Sequence, residues 1–307
     1  MAIATIWGPV GSAKSSIALS LPGKKFVFDL ERGARRAAWR FDPEEYDLWN
    51  PGDDHPELEQ QRILDELTYA ARDEIKGKSE LWKIIVTKFA QVVLSKAYRT
   101  IIFDTAKEAW TICHQAFLQE QQKLQLEGVM KRGKLNADDA RTMFDNGEVP
   151  WRQRLLPVEY SIPNLRMQGL FNLIENAGMN MALIYHQREE YTDIVDSRTG
   201  KTSSTRTGKL ELDGFSHSVK FSDWEFYTFF NEERVDGVVQ TNFAFRIDKS
   251  PIGLPMKGEK LVGQARPFEA VYNLVMARAL PHSSNKVLTL DEGGVPKALA
   301  EGKTNKQ

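Results

Sequence analysis

The segment Gly8–Ser15, GPVGSAKS, decides the fold of this chain. It follows an apolar run from Ala2 to Trp7 and is followed at once by the helix-forming residues Ser16–Leu19. It matches the pattern G-x-x-x-x-G-K-[ST] except at one position; in this pattern a glycine-containing loop turns backbone N–H groups toward phosphate oxygens at the start of a helix. The order strand, phosphate-binding loop, helix predicts an α/β protein with a mainly parallel sheet flanked by helices.

The residues of this loop predict a site for ATP and Mg²⁺. We expect Lys14 to reach the β and γ phosphates and the Ser15 hydroxyl to ligate Mg²⁺. Ala13 stands where the pattern has glycine, and its Cβ is expected to strain the turn and to slow hydrolysis more than it weakens binding. The other residues predicted to bind the nucleotide are Gly8, Pro9, Val10, Gly11, Ser12 and Ser16.

Two apolar strands that follow the loop end in acidic residues. Glu31 closes the run KFVFDLE, and Asp104 closes the run RTIIFDT. Strand ends line the ligand crevice of open parallel sheets, so Glu31 is predicted to orient or deprotonate a water that attacks the γ phosphate. Asp104 is predicted to hold Mg²⁺. The alternatives are a solvated surface acid for Glu31 and an N-cap of the next helix for Asp104.

A further strand, Met181–Gln187, ends in two polar residues that are candidates for hydrogen bonding to the γ phosphate, His186 and Gln187. Residues 192–209, TDIVDSRTGKTSSTRTGK, follow it and are predicted to form a mobile loop, because they are polar and rich in Ser, Thr and Gly. The cations of this segment suit a single-stranded DNA backbone; they are Arg198, Lys201, Arg206 and Lys209. A solvated loop without a ligand is the alternative.

The remaining patterns complete one predicted domain over residues 1–280. Residues 106–160 are predicted to form a helical insertion, because the first part has helical spacing and many Gln, Glu and Lys. Asp223–Phe230 and Asn242–Ile247 flank an Asp-Gly turn signal and predict an antiparallel hairpin that extends the sheet. Residues 281–307 are predicted to form a flexible tail.

Composition limits the class of protein. The chain has 307 residues, with 41 Lys and Arg against 42 Asp and Glu, so nucleic acid must be bound by a local basic patch. Cys113 is the one cysteine, which rules out an internal disulfide and fits a reducing compartment. The chain has no export signal and no run of eighteen apolar residues, so we expect a cytoplasmic protein that does not span a membrane.

In the order of these segments the chain resembles the RecA-like P-loop ATPases, and more narrowly the small RecA-like ATPases that tailed phages encode for recombination and single-strand annealing. The resemblance covers the chain between Ala2 and about Val262. It implies that Glu31 is the catalytic carboxylate and that Gln187 senses phosphate. It also implies that Lys249, in the hairpin, reaches the nucleotide of a neighbouring subunit.

This resemblance implies an ATP-hydrolysing protein that binds single-stranded DNA in phage-type recombination or annealing, in the host cytoplasm. The implied partners are single-stranded DNA, further copies of the chain with nucleotide at their interfaces, and a single-strand DNA-binding protein. Two other functions remain open. One is an ATP-driven motor or loader in replication or packaging, and the other is a nucleotide-gated binding module with little hydrolysis.

Overall fold

Nine strands form one sheet in the computed structural model, which describes residues 2–58, 60, 74–195, 202–235, 238–251, 257–258 and 260–262. The strands are β1 Ile3–Gly8, β2 Lys25–Asp29, β3 Tyr46–Trp49, β4 Thr100–Asp104, β5 Asn180–Val195, β6 Thr202–Asp213, β7 Trp224–Val235, β8 Val238–Lys249 and β9 Lys260–Val262. Their order is β3-β2-β4-β5-β1-β7-β8-β9, and β6 pairs with β5.

The helices of the described residues connect these strands. They are α1 Lys14–Leu19, α2 Arg35–Ala38, α3 Pro51–Asp54, α4 Lys78–Ser95, α5 Ala106–Gly133, α6 Ala137–Asp145, α7 Ser161–Ala177 and α8 Ser218–Phe221, with short 3-10 turns at Pro43–Glu45 and Pro157–Tyr160. None of these helices is both long and apolar enough to cross a membrane.

The centre of the sheet is parallel. Strand β1 lies between β5 and β7 and runs parallel to both, and β2 runs parallel to β3 and β4. Strand β5 separates β1 from β4. The carboxyl ends of these strands therefore meet along one edge of the sheet, which brings Gly8, Asp29 and Asp104 near one another. The predicted antiparallel hairpin is confirmed, since β7 and β8 are antiparallel and their pairing begins beside the turn with Val235 and Val238.

Helices cover both faces of the sheet, as the sequence predicts for an α/β fold. On one face α4, α5 and α7 pack through a cluster that includes Phe89, Phe103 and Phe171. On the other face α1 packs through Ile17, Ala18 and Leu19. Burial of large side chains such as the three phenylalanines stabilises the fold by about 1.5–3 kcal/mol each.

The predicted helical insertion contains α5 and α6. The far half of α5 packs on α6 in a third cluster, in which Phe144 and Trp151 stack with ring centroids 4.0 Å apart. Trp151 and Trp224 are buried and Trp110 stacks on Phe215, so these tryptophans contribute to packing.

The prediction of a loop over residues 192–209 is wrong for much of that segment. Strand β5 continues to Val195, and β6 begins at Thr202 and pairs antiparallel with it. Strand β5 continues beyond His186, its last residue paired with β1, and β6 pairs with this extension. Polar side chains are therefore tolerated on both faces there. The Thr-rich composition favours an extended backbone. Arg198 and Lys201 lie outside the described residues, as does the predicted tail, 281–307.

Candidate functional site

The loop between β1 and α1 is anchored to the neighbouring strand β7. Gly8 has φ 151°, and a Cβ there would lie 2.3 Å from Thr228 Oγ1, so only glycine allows this close approach. The Ser12 hydroxyl lies 2.5 Å from the same Thr228 Oγ1 and donates to the Pro9 carbonyl at 2.7 Å. The loop is therefore held by side chains as well as by its own backbone.

Ala13 occupies the left-handed region, with φ 63° and ψ 21°. A residue with a Cβ is disfavoured there by roughly 1–2 kcal/mol, which explains why the motif has glycine at this position. The sequence-based expectation of strain at Ala13 agrees with this geometry. The loop nevertheless closes without glycine, and α1 begins at the next residue.

Lys14 is buried under this loop. Its ammonium group donates to the carbonyl of Gly8 at 3.1 Å and to that of Pro9 at 2.5 Å. Burial lowers the Lys14 pKa to about 8, although the nearby carboxylates of Asp104 and Glu31 oppose that shift. Carbonyl oxygens are uncharged acceptors, so phosphate oxygens in their place would form stronger, charge-assisted bonds with the ammonium group.

Ser15 and Asp104 meet across the edge of the sheet. The Ser15 hydroxyl donates to Asp104 Oδ2 at 2.6 Å. The N-cap of α5 is Thr105, whose hydroxyl accepts from the Glu108 N–H, so the alternative role of Asp104 as that cap is excluded. The Asp104 carboxylate is instead directed at the start of α1.

Burial raises the Asp104 pKa to about 6, with the Ser15 hydrogen bond opposing it and the neighbouring charges of Asp29 and Glu31 adding to it. Asp29 pairs with Asp104 across β2 and β4 and is itself fully buried, and burial also raises its pKa. Asp29 is stabilised by the Ala34 N–H at 2.9 Å and by Arg35 Nε at 3.5 Å. It thereby fixes the turn that carries Glu31.

Glu31 lies in the turn after β2 and projects toward Thr105, which follows β4, and toward His186 in β5. Its Oε1 accepts from the Thr105 hydroxyl at 2.7 Å, and its Oε2 lies 3.4 Å from His186 Nε2. The hydrogen bond with His186 is the main cause of a lowered Glu31 pKa, with the Thr105 hydroxyl contributing and burial opposing. The Glu31 side chain is 38% exposed but hydrogen-bonded at both oxygens, unlike an isolated surface acid.

These groups face one cleft of about 520 Å³. Its lining contains most of the predicted nucleotide, metal and catalytic residues, namely Val10, Gly11, Ser12, Ala13, Lys14, Ser15, Ser16, Glu31, Asp104 and His186. Its volume lies in the range typical of sites for small organic ligands. Residues from four separate segments of the chain therefore come together as the sequence predicts.

Gln187 and Lys249 do not line this cleft. Successive side chains of a strand point to opposite faces, so His186 faces the cleft whereas Gln187 accepts a hydrogen bond from the Tyr227 hydroxyl at 3.1 Å on the other face. The Lys249 ammonium group donates to the carbonyls of Val219 and Ser222 in the same chain. Both residues were predicted as candidates for hydrogen bonding to the γ phosphate, but strand alternation directs only His186 into the cleft.

The described part of the β5–β6 hairpin carries acids as well as cations. Arg206 Nε lies 2.8 Å from Glu189 Oε2, and its guanidinium group lies over the Tyr191 ring at 5.9 Å. Arg188 pairs in the same way with Glu211. Lys209 is exposed. Opposite charges on the facing strand therefore offset part of the positive charge expected from residues 192–209.

The cleft also contains cations that sequence reasoning missed, Arg36 and Arg40 on and just after α2. A signal for them was present, because both follow Glu31 closely in the run ERGARRAAWR. Within the described residues, no group of three or more His, Cys, Asp or Glu side chains is arranged to hold a metal ion. Ser15 and Asp104 alone suit Mg²⁺, which usually keeps water and substrate oxygens among its ligands.

No protein-family model and no curated protein matches this chain. Its own geometry therefore defines its class. It is an α/β protein with a mostly parallel, mixed sheet flanked by helices, and a polar cleft opens at the carboxyl ends of the parallel strands.

Proposed function

We propose that the core is a RecA-like P-loop NTPase and that the cleft binds and hydrolyses ATP with Mg²⁺. The observation that carries this proposal is the convergence of Lys14, Ser15, Glu31 and Asp104 on one cleft at the start of α1. A phosphate chain needs a cation and a metal-binding pair in close proximity, which Lys14 and the pair Ser15 and Asp104 supply in this proposal.

The residues present fit Mg²⁺ and a phosphate chain. Asp104 is a buried carboxylate whose pKa is raised, so it gains stabilisation from a cation placed beside it. The hydroxyl of Ser15 is already at its carboxylate. When bound, Mg²⁺ neutralises charge on the phosphate oxygens. Lys14 exchanges its contacts with the Gly8 and Pro9 carbonyls for contacts with phosphate oxygens.

Glu31 orients the attacking water in this proposal. Its lowered pKa keeps it ionised at neutral pH, so it is available to accept a hydrogen bond from water. Thr105 and His186 occupy its two oxygens here, and one of these contacts has to be replaced by the water in the reacting complex. A strongly ionised carboxylate is a weak base, so positioning contributes more than proton abstraction.

We propose, further, that the ATPase binds single-stranded DNA in phage-type recombination or strand annealing, with copies of the chain assembled around the nucleotide. The support is the order of segments and the β5–β6 hairpin, which extends from the same strand that carries His186. In the hairpin, Glu211 and Glu189 offset the positive charges of Arg188 and Arg206. A motor or loader acting on duplex DNA is the second candidate, and it shares the same ATP site.

The test is ATP binding and turnover of the full chain, with and without single-stranded DNA, for the parent and for Lys14→Ala. Loss of the buried ammonium group should reduce ATP affinity by about 10²-fold, because a hydrogen bond to a charged group contributes about 1.5–3 kcal/mol. Lys123→Ala, at an exposed position on α5, is the matched control. Equal ATP affinity in Lys14→Ala and the parent would overturn the nucleotide site. Turnover stimulated by duplex DNA alone would favour the motor.

A further inference from the structure

Two arginine side chains of the cleft carry unpaired charge. Arg36 and Arg40 both line the cleft and are exposed, and among the residues that the structure describes no carboxylate forms an ion pair with either. The Arg40 guanidinium group lies over the Trp39 ring, 5.0 Å from its centre. Their neighbour Arg35 differs, because it binds Asp53 at 2.9 Å. The charges of Arg36 and Arg40 therefore remain available to a ligand.

The local sequence fixes the direction of these side chains. Ala34 and Ala38 are buried against the layer that contains α1, with exposed fractions of 1% and 3%. Small residues at these two positions let α2 pack closely on the core, and Arg36 and Arg40 are left on the cleft side. The placement of Arg36 and Arg40 is thus a result of buried packing and not of an irregular surface loop.

The segment that carries the two arginines begins beside the metal-binding pair. Gly33 begins this segment beside Asp104, since a Cβ on Gly33 would lie 3.7 Å from Asp104 Oδ2. Lys14, Asp104 and the two arginines therefore line the same cleft.

We propose that Arg36 and Arg40 bind phosphate oxygens of the nucleotide together with Lys14. The inference rests on the proposed function and names residues that select its substrate class. A guanidinium group binds phosphate through two parallel N–H bonds and is less strongly hydrated than an ammonium group. The cleft consequently prefers a nucleoside triphosphate, whose several phosphate groups can contact Lys14 and the two arginines at once, to a single phosphate, which has fewer oxygens to offer them.

The experiment measures binding of ATP with Mg²⁺, and separately of inorganic phosphate, to the full chain by calorimetry. The variants are Arg36→Gln, Arg40→Gln and the double substitution, with Arg154→Gln as an exposed control of equal charge change. Each single variant should weaken ATP binding by about tenfold and the double variant by about 10²-fold. Inorganic phosphate affinity should fall by less than ATP affinity, because a single phosphate has fewer oxygens to contact Lys14 and both arginines. Thermal unfolding should be unchanged, because neither side chain is buried.

Trp39 supplies a second readout. If ATP draws the Arg40 guanidinium away from the Trp39 ring, ATP should change tryptophan fluorescence in the parent, and Trp39→Phe should lose that component. Parent ATP affinity in the double variant would overturn the proposal, and so would a loss confined to single-stranded DNA binding, which would assign the arginines to nucleic acid. If Lys14→Ala still abolishes ATP binding in that case, the proposed function stands without this inference.

Discussion

Ser15 donates its hydroxyl hydrogen to Asp104 Oδ2 at 2.6 Å, although 89 positions of sequence separate the two residues. The bond joins the start of α1 to the carboxyl end of β4, two elements that only the sheet brings together. It keeps a buried carboxylate partly stabilised while no cation is bound. The proposed metal-binding pair is thus preorganised at a cost to the stability of the metal-free chain.

Asp104→Asn is expected to stabilise the metal-free chain above pH 6 and to weaken Mg²⁺-dependent ATP binding. The Asp104 pKa is raised to about 6 in the folded chain, so its relative contribution to stability is greatest below its unfolded pKa and is lost as pH rises through 6. At pH 7.5 the melting temperature of the variant should rise by roughly 2–6 °C, and at pH 5 the gain should shrink because Asp104 is already largely protonated.

Scanning calorimetry at both pH values, with Glu148→Gln as an exposed acidic control, measures this difference. A stability gain that is equal at pH 5 and pH 7.5 would contradict a raised Asp104 pKa. A magnesium titration of ATP binding checks the second part, since an amide ligates Mg²⁺ more weakly than a carboxylate.

Glu31→Gln should leave ATP binding intact and reduce hydrolysis by about 10²-fold or more, because the amide keeps the size of the side chain but removes its charge. Single-turnover hydrolysis separates these effects. The exposed Glu44→Gln is the control. Turnover at the parent rate would show that Glu31 is not catalytic and is a surface acid that contacts Thr105 and His186.

Ala13→Gly should increase stability by roughly 0.5–1 kcal/mol and raise ATP affinity or turnover, because glycine adopts the left-handed conformation of this position without strain. The comparison is Ala177→Gly at the exposed end of α7, where the helical conformation favours alanine and the same change should destabilise. Urea unfolding of both variants measures the contrast. Destabilisation by both would show that the loop holds Ala13 without strain.

Neutralising Arg206 and Lys209 tests the hairpin as a DNA contact. If both meet phosphates, Arg206→Gln with Lys209→Gln should flatten the salt dependence of single-strand binding by about 1.4 units, at about 0.7 per contact. ATP affinity should not change. Because Glu189 already pairs with Arg206, Glu189→Gln should strengthen DNA binding. Lys123→Gln is the control, and an unchanged salt slope in the double variant would remove the hairpin from the DNA interface.

The sequence predicted those parts of the fold whose strands are buried on both faces. Strand β4 lies at Thr100–Asp104 as its apolar run predicts, with every residue buried. Strand β3 was missed because its four residues, YDLW, are mostly half-buried at the end of the sheet and lack a continuous apolar run. Strand β6 was missed because its polar side chains gave no alternation between a core face and a solvent face.

The candidate site was predictable where one motif fixed the spacing, as for Lys14 and Ser15. Asp104 and Glu31 were also found, because a strand end is visible in the sequence. The Thr105 and His186 contacts to Glu31 depend on the order of β2, β4 and β5 in the sheet, which the sequence does not state. For Arg36 and Arg40 the one signal was that they closely follow Glu31, and their residue type alone is that of ordinary surface cations.

The contact between Gly8 and Thr228 has a consequence for dissecting this chain into parts. Because the backbone of Gly8 lies against β7 and Ser12 shares the Thr228 hydroxyl, the conformation of an N-terminal loop depends on a strand more than two hundred positions later. The loop and α1 are therefore not expected to keep this conformation when they are moved into another protein. A fragment that ends before β7 would contain all of Gly8–Ser15 and would still lack Thr228, against which this loop packs.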